Sequence, residues 1–206
     1  IAQNIRGLSK HVDFLSEIGN KNNYKNFIFK KLKNVKKIIF QNKNISTIEK
    51  KRYVDEVSNS KILGVYNVND IEKNSQNHSK INSFLSKNIK NYDLVVVSDY
   101  GHGLFNKNST KILLSKSKNL FVNCQINANN RGSHSILKYK GVKNLIINES
   151  ELRYEMRDNN TEIRDLVKKF SKTYRVNTLI VTKGSDGILF YKRLNDSFLS
   201  VPAFAN

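Results

Sequence analysis

The sequence predicts an α/β protein built on a mostly parallel sheet, and two patterns carry that expectation. Short, near-continuous apolar runs recur at DLVVVS (93–98), NLFVN (119–123), NLIIN (144–148) and NTLIVT (177–182), as in strands covered on both faces. Helical spacing fills the gaps between them: Ile81, Phe84, Leu85 and Ile89 before the first run, Ile112 and Leu113 after it, and Ile163, Leu166, Val167 and Phe170 before the last. Strand and helix in alternation imply parallel strands with helices packed on the sheet.

The remaining elements follow in chain order. A half-formed helical pattern opens the chain, VDFLSEI (12–18) reads as a strand closed by Gly19, and residues 24–32 read as a helix. Three segments of strand-like composition follow with no helix between them: KIIFQN (37–42), TIEKKRYVD (47–55) and KILGVYNV (61–68). They predict a small antiparallel sheet over 37–68, apart from the main one and placed as a flap over a site. GILFYKR (187–193) and SFLSVPAFA (197–205) close the chain as consecutive strands. All of this is read as one domain spanning 1–206.

Composition narrows the function classes. The 206 residues are 38% apolar, with no run long enough to span a membrane and no secretory h-region at the start. One cysteine, Cys124, leaves no intramolecular disulfide framework and no cysteine-based metal site, and the chain is read as cytoplasmic. The net charge of +19 invites a nucleic-acid reading. Against it, lysine outnumbers arginine, and KKLKNVKK (30–37) contains no arginine, the residue that reads bases through its bidentate fork. With Leu32 and Val35 as its apolar positions, that segment is expected to end an amphipathic helix. No specific nucleic-acid partner and no membrane partner are expected.

The chemistry is expected where the strands end, since ligands of open α/β sheets collect at the carboxyl ends of parallel strands. Four runs give way there to polar or glycine-bearing turns: SDYGHG (98–103), NCQINANNRG (123–132), NESE (148–151) and TKGSDG (182–187). The glycines Gly184 and Gly187 allow a tight turn with N–H groups exposed to phosphate oxygens; a plain hairpin turn is the equal alternative. Asn148 and Glu151 suit a carboxylate that orients Mg²⁺ and its waters, and equally a helix capping box. There is no P-loop and no GxGxxG, and the four histidines lack metal-ligand spacing. His102 is read as a solvated turn residue.

Taken in order, the motifs resemble those of the PfkB (ribokinase-like) carbohydrate kinases. AQNIRGLSKHVDFLSEIG (2–19) is similar to the family's AxNxAxxLxxLG segment, TIEKKRYVD to its TxxKxR lid strand and DLVVVSDYGHG to DxVxxSDYxKG. NESE is similar to NxxE, TKGSDGILFY to the TxGxxG nucleotide loop, and SVPAFAN (200–206) to the VPAF segment shortly before GAGD. Within the family the nearest look is the heptose 7-phosphate kinase half of bifunctional heptose kinase/nucleotidyltransferase proteins. Such kinases carry VDPK after the central strand; here that place reads VNCQ, with Asn123 and Gln125 in place of an acid and a base.

The resemblance implies a three-layer α/β/α fold with a small β lid, and transfer of the γ-phosphoryl group of ATP to a sugar or sugar-phosphate hydroxyl with Mg²⁺. It assigns ATP to Asn148, Glu151, Thr182, Lys183, Gly184, Ser185, Asp186 and Gly187, with Glu151 also toward the metal. It assigns the sugar to Asn4, Lys50, Arg52, Asp99 and Gly101, and a phosphate on the sugar to Arg131. It implies a fused nucleotidyltransferase domain and a homodimer as partners. The catalytic base, the Asp of GAGD, is expected beyond Asn206, so residues 1–206 alone are expected to be inactive. The alternatives are a noncatalytic nucleotide or sugar-phosphate binding protein on this fold and a basic nucleic-acid-binding module.

Overall fold

The computed structural model describes residues 1–20, 24–68, 77–126 and 134–204. They divide into two units, one of residues 1–81 with 102–104, the other of 82–101 with 105–206.

The first unit opens with helix α1 (Ala2–Leu8), strand β1 (Asp13–Gly19), helix α2 (Lys25–Lys31) and strand β2 (Lys36–Asn42). The two strands pair in parallel, from Asp13 opposite Lys36 to Gly19 opposite Asn42, so β1–α2–β2 is a crossover unit. This corrects the expected flap: 37–42 does not join the antiparallel ribbon but pairs in parallel with β1, the expected helix at 24–32 serving as their crossover. The antiparallel ribbon consists of β3 (Glu49–Val54) and β4 (Lys61–Asn67) alone. Its turn is tied by Asp55 Oδ1, which accepts the N–H and hydroxyl of Ser58, both at 2.7 Å.

Helix α2 ends before KKLKNVKK does. Its cap, Leu32, already leaves the helical region with ψ 70°, Asn34 then takes a left-handed φ of 55°, and Val35 is buried on the way into β2. Gly19 has no substitute at the end of β1. A Cβ there would lie 2.2 Å from the Ser46 carbonyl carbon, and the Gly19 N–H reaches Thr47 Oγ1 at 3.1 Å. His102 is half-buried, not solvated; it lines an apolar cavity of about 430 Å³ with Phe14, Ile18, Phe27 and Ile39.

Helix α3 (His78–Asn88) carries the chain into the second unit. A six-stranded sheet follows: β5 (Val95–Asp99), β6 (Leu120–Cys124), β7 (Asn144–Asn148) and β8 (Thr178–Thr182) are parallel, and β9 (Ile188–Lys192) and β10 (Ser197–Val201) extend it antiparallel. Helices α4 (Lys107–Lys116), α5 (Glu149–Met156) and α6 (Ile163–Tyr174) fill the connections. The four parallel strands lie side by side in sequence order, so right-handed crossovers put these helices on one face.

Burial follows from that. Leu145, Ile147, Leu179 and Val181 are buried, as are Leu166, Val167 and Phe170 of α6, while the alternate Ile146 and Ile180 are only half-buried. Each fully buried aliphatic side chain stabilises the fold by roughly 1.5–3 kcal/mol, so this face is the core. Both α4 and α5 start at capping boxes, Asn106 with Ser109 and Asn148 with Glu151. Among the described residues, no helix is long and apolar enough to cross a membrane.

Candidate active site

The carboxyl ends of β5, β6, β7 and β8 share one edge of the sheet, and three of the four expected turns bring polar groups to it. The fourth, 123–132, is described only as far as Ile126, so Arg131 lies outside the described residues.

Asp99 ends β5 and is 3% exposed. Its Oδ2 accepts from Lys138 Nζ and Tyr139 OH, each at 2.7 Å, and its Oδ1 accepts from the Gly101 N–H at 2.9 Å. Burial by itself would raise the carboxyl. The Lys138 ammonium, with the hydrogen bonds from Lys138, Tyr139 and Gly101, outweighs that and holds it below the usual carboxylate range. Tyr139 is driven the opposite way, by burial first and then by the Asp99 charge, so it stays a phenol and a donor.

Behind this pair, Cys124 Sγ at the end of β6 lies 3.1 Å from His134 Nε2. Burial lowers the imidazole and, with Asp99 nearby, pushes the thiol up to about 12, so a neutral thiol lies against a neutral ring. The pair is an internal strut, with no thiolate to act as a nucleophile. His134 also lines a cavity of about 510 Å³ with Ile126, Tyr154 and Arg157.

At β7 the capping-box alternative is realised. Asn148 Oδ1 accepts the Glu151 N–H at 2.7 Å, and Glu151 Oε2 accepts the Asn148 N–H at 3.1 Å. Glu151 Oε1 also takes the Ile126 N–H at 2.9 Å, which ties the exit of β6 to the start of α5. Burial raises the Glu151 carboxyl against these backbone donors. Each oxygen keeps one acceptor position, open to a water or to a metal ion. No three His, Cys, Asp or Glu converge as metal ligands among the described residues.

TKGSDG is the turn of an antiparallel hairpin, with Thr182 opposite Ile188. The N–H groups of Lys183, Asp186 and Gly187 close it internally, onto Gly187 O, Lys183 O and Gly184 O. Those of Gly184 and Ser185 have no partner among the described residues, and both residues are exposed. Gly187 is obligatory: its φ is 82°, and a Cβ would fall 2.1 Å from Val201 O. Lys183 approaches Asp186 at 4.0 Å.

The other sugar-side candidates belong to the first unit. Asn4 is on α1, and Lys50 and Arg52 are two apart on β3, paired with Tyr66 and Gly64; all three are exposed. Sequence reading missed Lys138 and Tyr139. They sit in a 3-10 turn (Ile136–Tyr139) with neither helical nor strand periodicity, and their partner is 39 and 40 residues away.

All of residues 1–206 match the model of the pfkB family carbohydrate kinases. The chain belongs to this family. It is 26% identical over 198 residues to the bifunctional protein HldE of Aliarcobacter butzleri (strain RM4018), a match that covers 93% of this chain and 40% of that protein. Among solved structures it is similar to ribokinase from Giardia lamblia, with a TM-score of 0.70 and 16% identity, over 94% of this chain and 60% of that one. It is also similar to phosphofructokinase-2 from Escherichia coli, with a TM-score of 0.69 and 12% identity, over 100% of this chain and 65% of that one. This pfkB-family chain has the ribokinase-like fold and spans less than two thirds of the length of these relatives.

Proposed function

We propose that the chain is part of an ATP-dependent sugar or sugar-phosphate kinase that transfers the γ-phosphoryl group of ATP to a sugar hydroxyl. The observation that carries this reading is the convergence of Asp99, Asn148, Glu151 and the Thr182–Gly187 turn on one edge of the parallel sheet in a pfkB-family chain. Phosphoryl transfer is chiefly positioning and charge neutralisation. The open N–H groups of Gly184 and Ser185 suit the oxygens of a nucleotide's phosphates. Thr182, Lys183, Asp186 and Gly187 shape that turn, and Asn148 and Glu151 stand at the next strand end. Glu151 would hold Mg²⁺ through water, and the ion, when bound with ATP, neutralises phosphate charge. Asn4, Lys50, Arg52, Asp99, Gly101 and Arg131 are assigned to the sugar side.

We further propose a cytoplasmic protein acting on precursors of nucleotide-activated heptose, with a fused nucleotidyltransferase domain and a homodimeric state. The relative's designation as bifunctional supports the second domain. A noncatalytic nucleotide or sugar-phosphate binder is the second reading; it is favoured by the engagement of both carboxylates, Asp99 and Glu151, in internal hydrogen bonds. ADP release by the full gene product over a panel of sugars and sugar phosphates tests the proposal. Turnover with one of them supports a kinase. Stabilisation by Mg-ATP with no turnover supports the binder, and neither effect refutes both.

A further inference from the structure

Asp99 reaches the edge of the sheet as a carboxylate already in use. Both of its oxygens carry hydrogen bonds and its side chain is 2% exposed, so a ligand hydroxyl would have to displace Lys138, Tyr139 or Gly101 to reach it. Lys138 is different. Its side chain keeps 23% exposure, and its ammonium has three N–H donors, of which one is given to Asp99. What this corner offers a ligand is therefore a cation with a carboxylate behind it.

The arrangement is poorly explained as a strut. A buried ion pair contributes little net stability compared with apolar packing, yet this one is reinforced by a third group, Tyr139, whose hydroxyl is fully buried against the same oxygen. Its effect is to fix where one ammonium sits at the ligand-binding edge. A fixed donor costs less ordering when a ligand arrives, and a compact lysine charge suits phosphate oxygens. The neighbouring end of β6 supplies no charge of its own, since positions 123 and 125 are Asn and Gln. Lys138 comes instead from the connection between β6 and β7.

We infer that Lys138, positioned by Asp99 and Tyr139, binds a phosphoryl oxygen of the ligand. The inference rests on the kinase reading for the identity of that ligand: a phosphate on the sugar and the terminal phosphate of ATP share the chemistry.

Reductive methylation with ¹³C-formaldehyde keeps the lysine charge and gives each lysine an NMR signal, and the Lys138 signal is identified by its absence in Lys138→Arg. The probes, added to the full gene product, are inorganic phosphate, glucose 6-phosphate, Mg-ADP and Mg-ATP, with chloride at matched ionic strength as control. A shift with phosphate and glucose 6-phosphate assigns Lys138 to the sugar-phosphate side. A shift with Mg-ATP but not Mg-ADP assigns it to the γ-phosphoryl group. A Lys138 signal unmoved by all four overturns the inference. The double variant Asp99→Asn/Lys138→Met removes both charges together and so leaves no lone buried ion; it is expected to bind the active probe at least tenfold more weakly, and unchanged affinity in the folded variant would return the pair to a structural role. Mg-ATP that raises the melting temperature while none of the four probes moves the Lys138 signal overturns this inference while the kinase reading stands. Absence of any Mg-ATP stabilisation counts against the kinase reading itself.

Discussion

The hydroxyl of Tyr139 and the carboxylate of Asp99 meet at 2.7 Å, both out of solvent, and join a 3-10 turn to the end of β5 across 40 residues of chain. Because the acceptor is ionised, this hydrogen bond is stronger than a neutral one and its loss leaves a buried charge short of a donor.

Tyr139→Phe is accordingly expected to destabilise the second unit by roughly 1.5–3 kcal/mol. Urea unfolding monitored by circular dichroism measures it. A change under about 0.5 kcal/mol, the range of an ordinary surface substitution, would mean that Lys138 and Gly101 satisfy the carboxylate without the phenol.

The same carboxylate makes stability depend on acid pH. Its folded pKa is depressed below the unfolded value of about 3.9. The unfolded chain therefore binds the proton first, so the contribution is present above about pH 4 and fades as pH falls through the folded value. Stability measured from pH 6 down to pH 2 should fall less steeply in Asp99→Asn/Lys138→Met than in the wild type. Parallel acid limbs would contradict the assignment.

Gly187→Ala tests the hairpin. The φ of 82° and the 2.1 Å approach to Val201 O both forbid a Cβ. A loss of more than about 1–3 kcal/mol is expected from backbone strain alone, with β10 shifted off β9. Gly184→Ala is the informative contrast: φ is 60°, but nothing lies within 4 Å of its Cβ, so the loss should be smaller. Equal losses would show that close approach contributes nothing.

Cys124 should resist modification. It is 1% exposed and its thiol is pushed up to about 12, by burial first and then by Asp99. An aromatic disulfide reagent at pH 8 should release no chromophore from the native protein and one equivalent after unfolding in guanidinium. Rapid reaction in the native state would place the thiol outside the core.

Activity carries the last expectation. On the expectation that the base belongs to a GAGD motif, a sequence that residues 1–206 do not contain, this polypeptide by itself should turn over sugar phosphate and ATP only at trace rates. Robust ADP formation by it would overturn the assignment of the base to that motif. In the full gene product, Glu151→Gln should weaken stabilisation by Mg-ATP more than stabilisation by ATP with a chelator.

The apolar runs at 93–98, 119–123, 144–148 and 177–182 became β5 to β8 because a period of apolar residues is a local property, and the helices between them followed for the same reason. The flap was misjudged at 37–42: that strand carries the same composition whether its partner is parallel β1 or an antiparallel ribbon, and pairing is decided by what lies across the sheet. At the candidate site, Asp99, Glu151 and the TKGSDG turn were legible as polar residues where apolar runs stop. Their hydrogen-bond partners were not.

The sequence by itself determined the order of elements, the edge of the sheet where polar turns gather, and the family motifs that place the chain among carbohydrate kinases. Only the tertiary structure decided that Asp99 faces inward to Lys138 and Tyr139, that Glu151 caps α5 and holds the exit of β6, and that Lys138 is the less buried partner of the pair. The physical reason is range. Periodicity and turn chemistry act over a few residues, whereas the charge state and the open valences of a buried carboxylate depend on donors brought from distant positions in the chain.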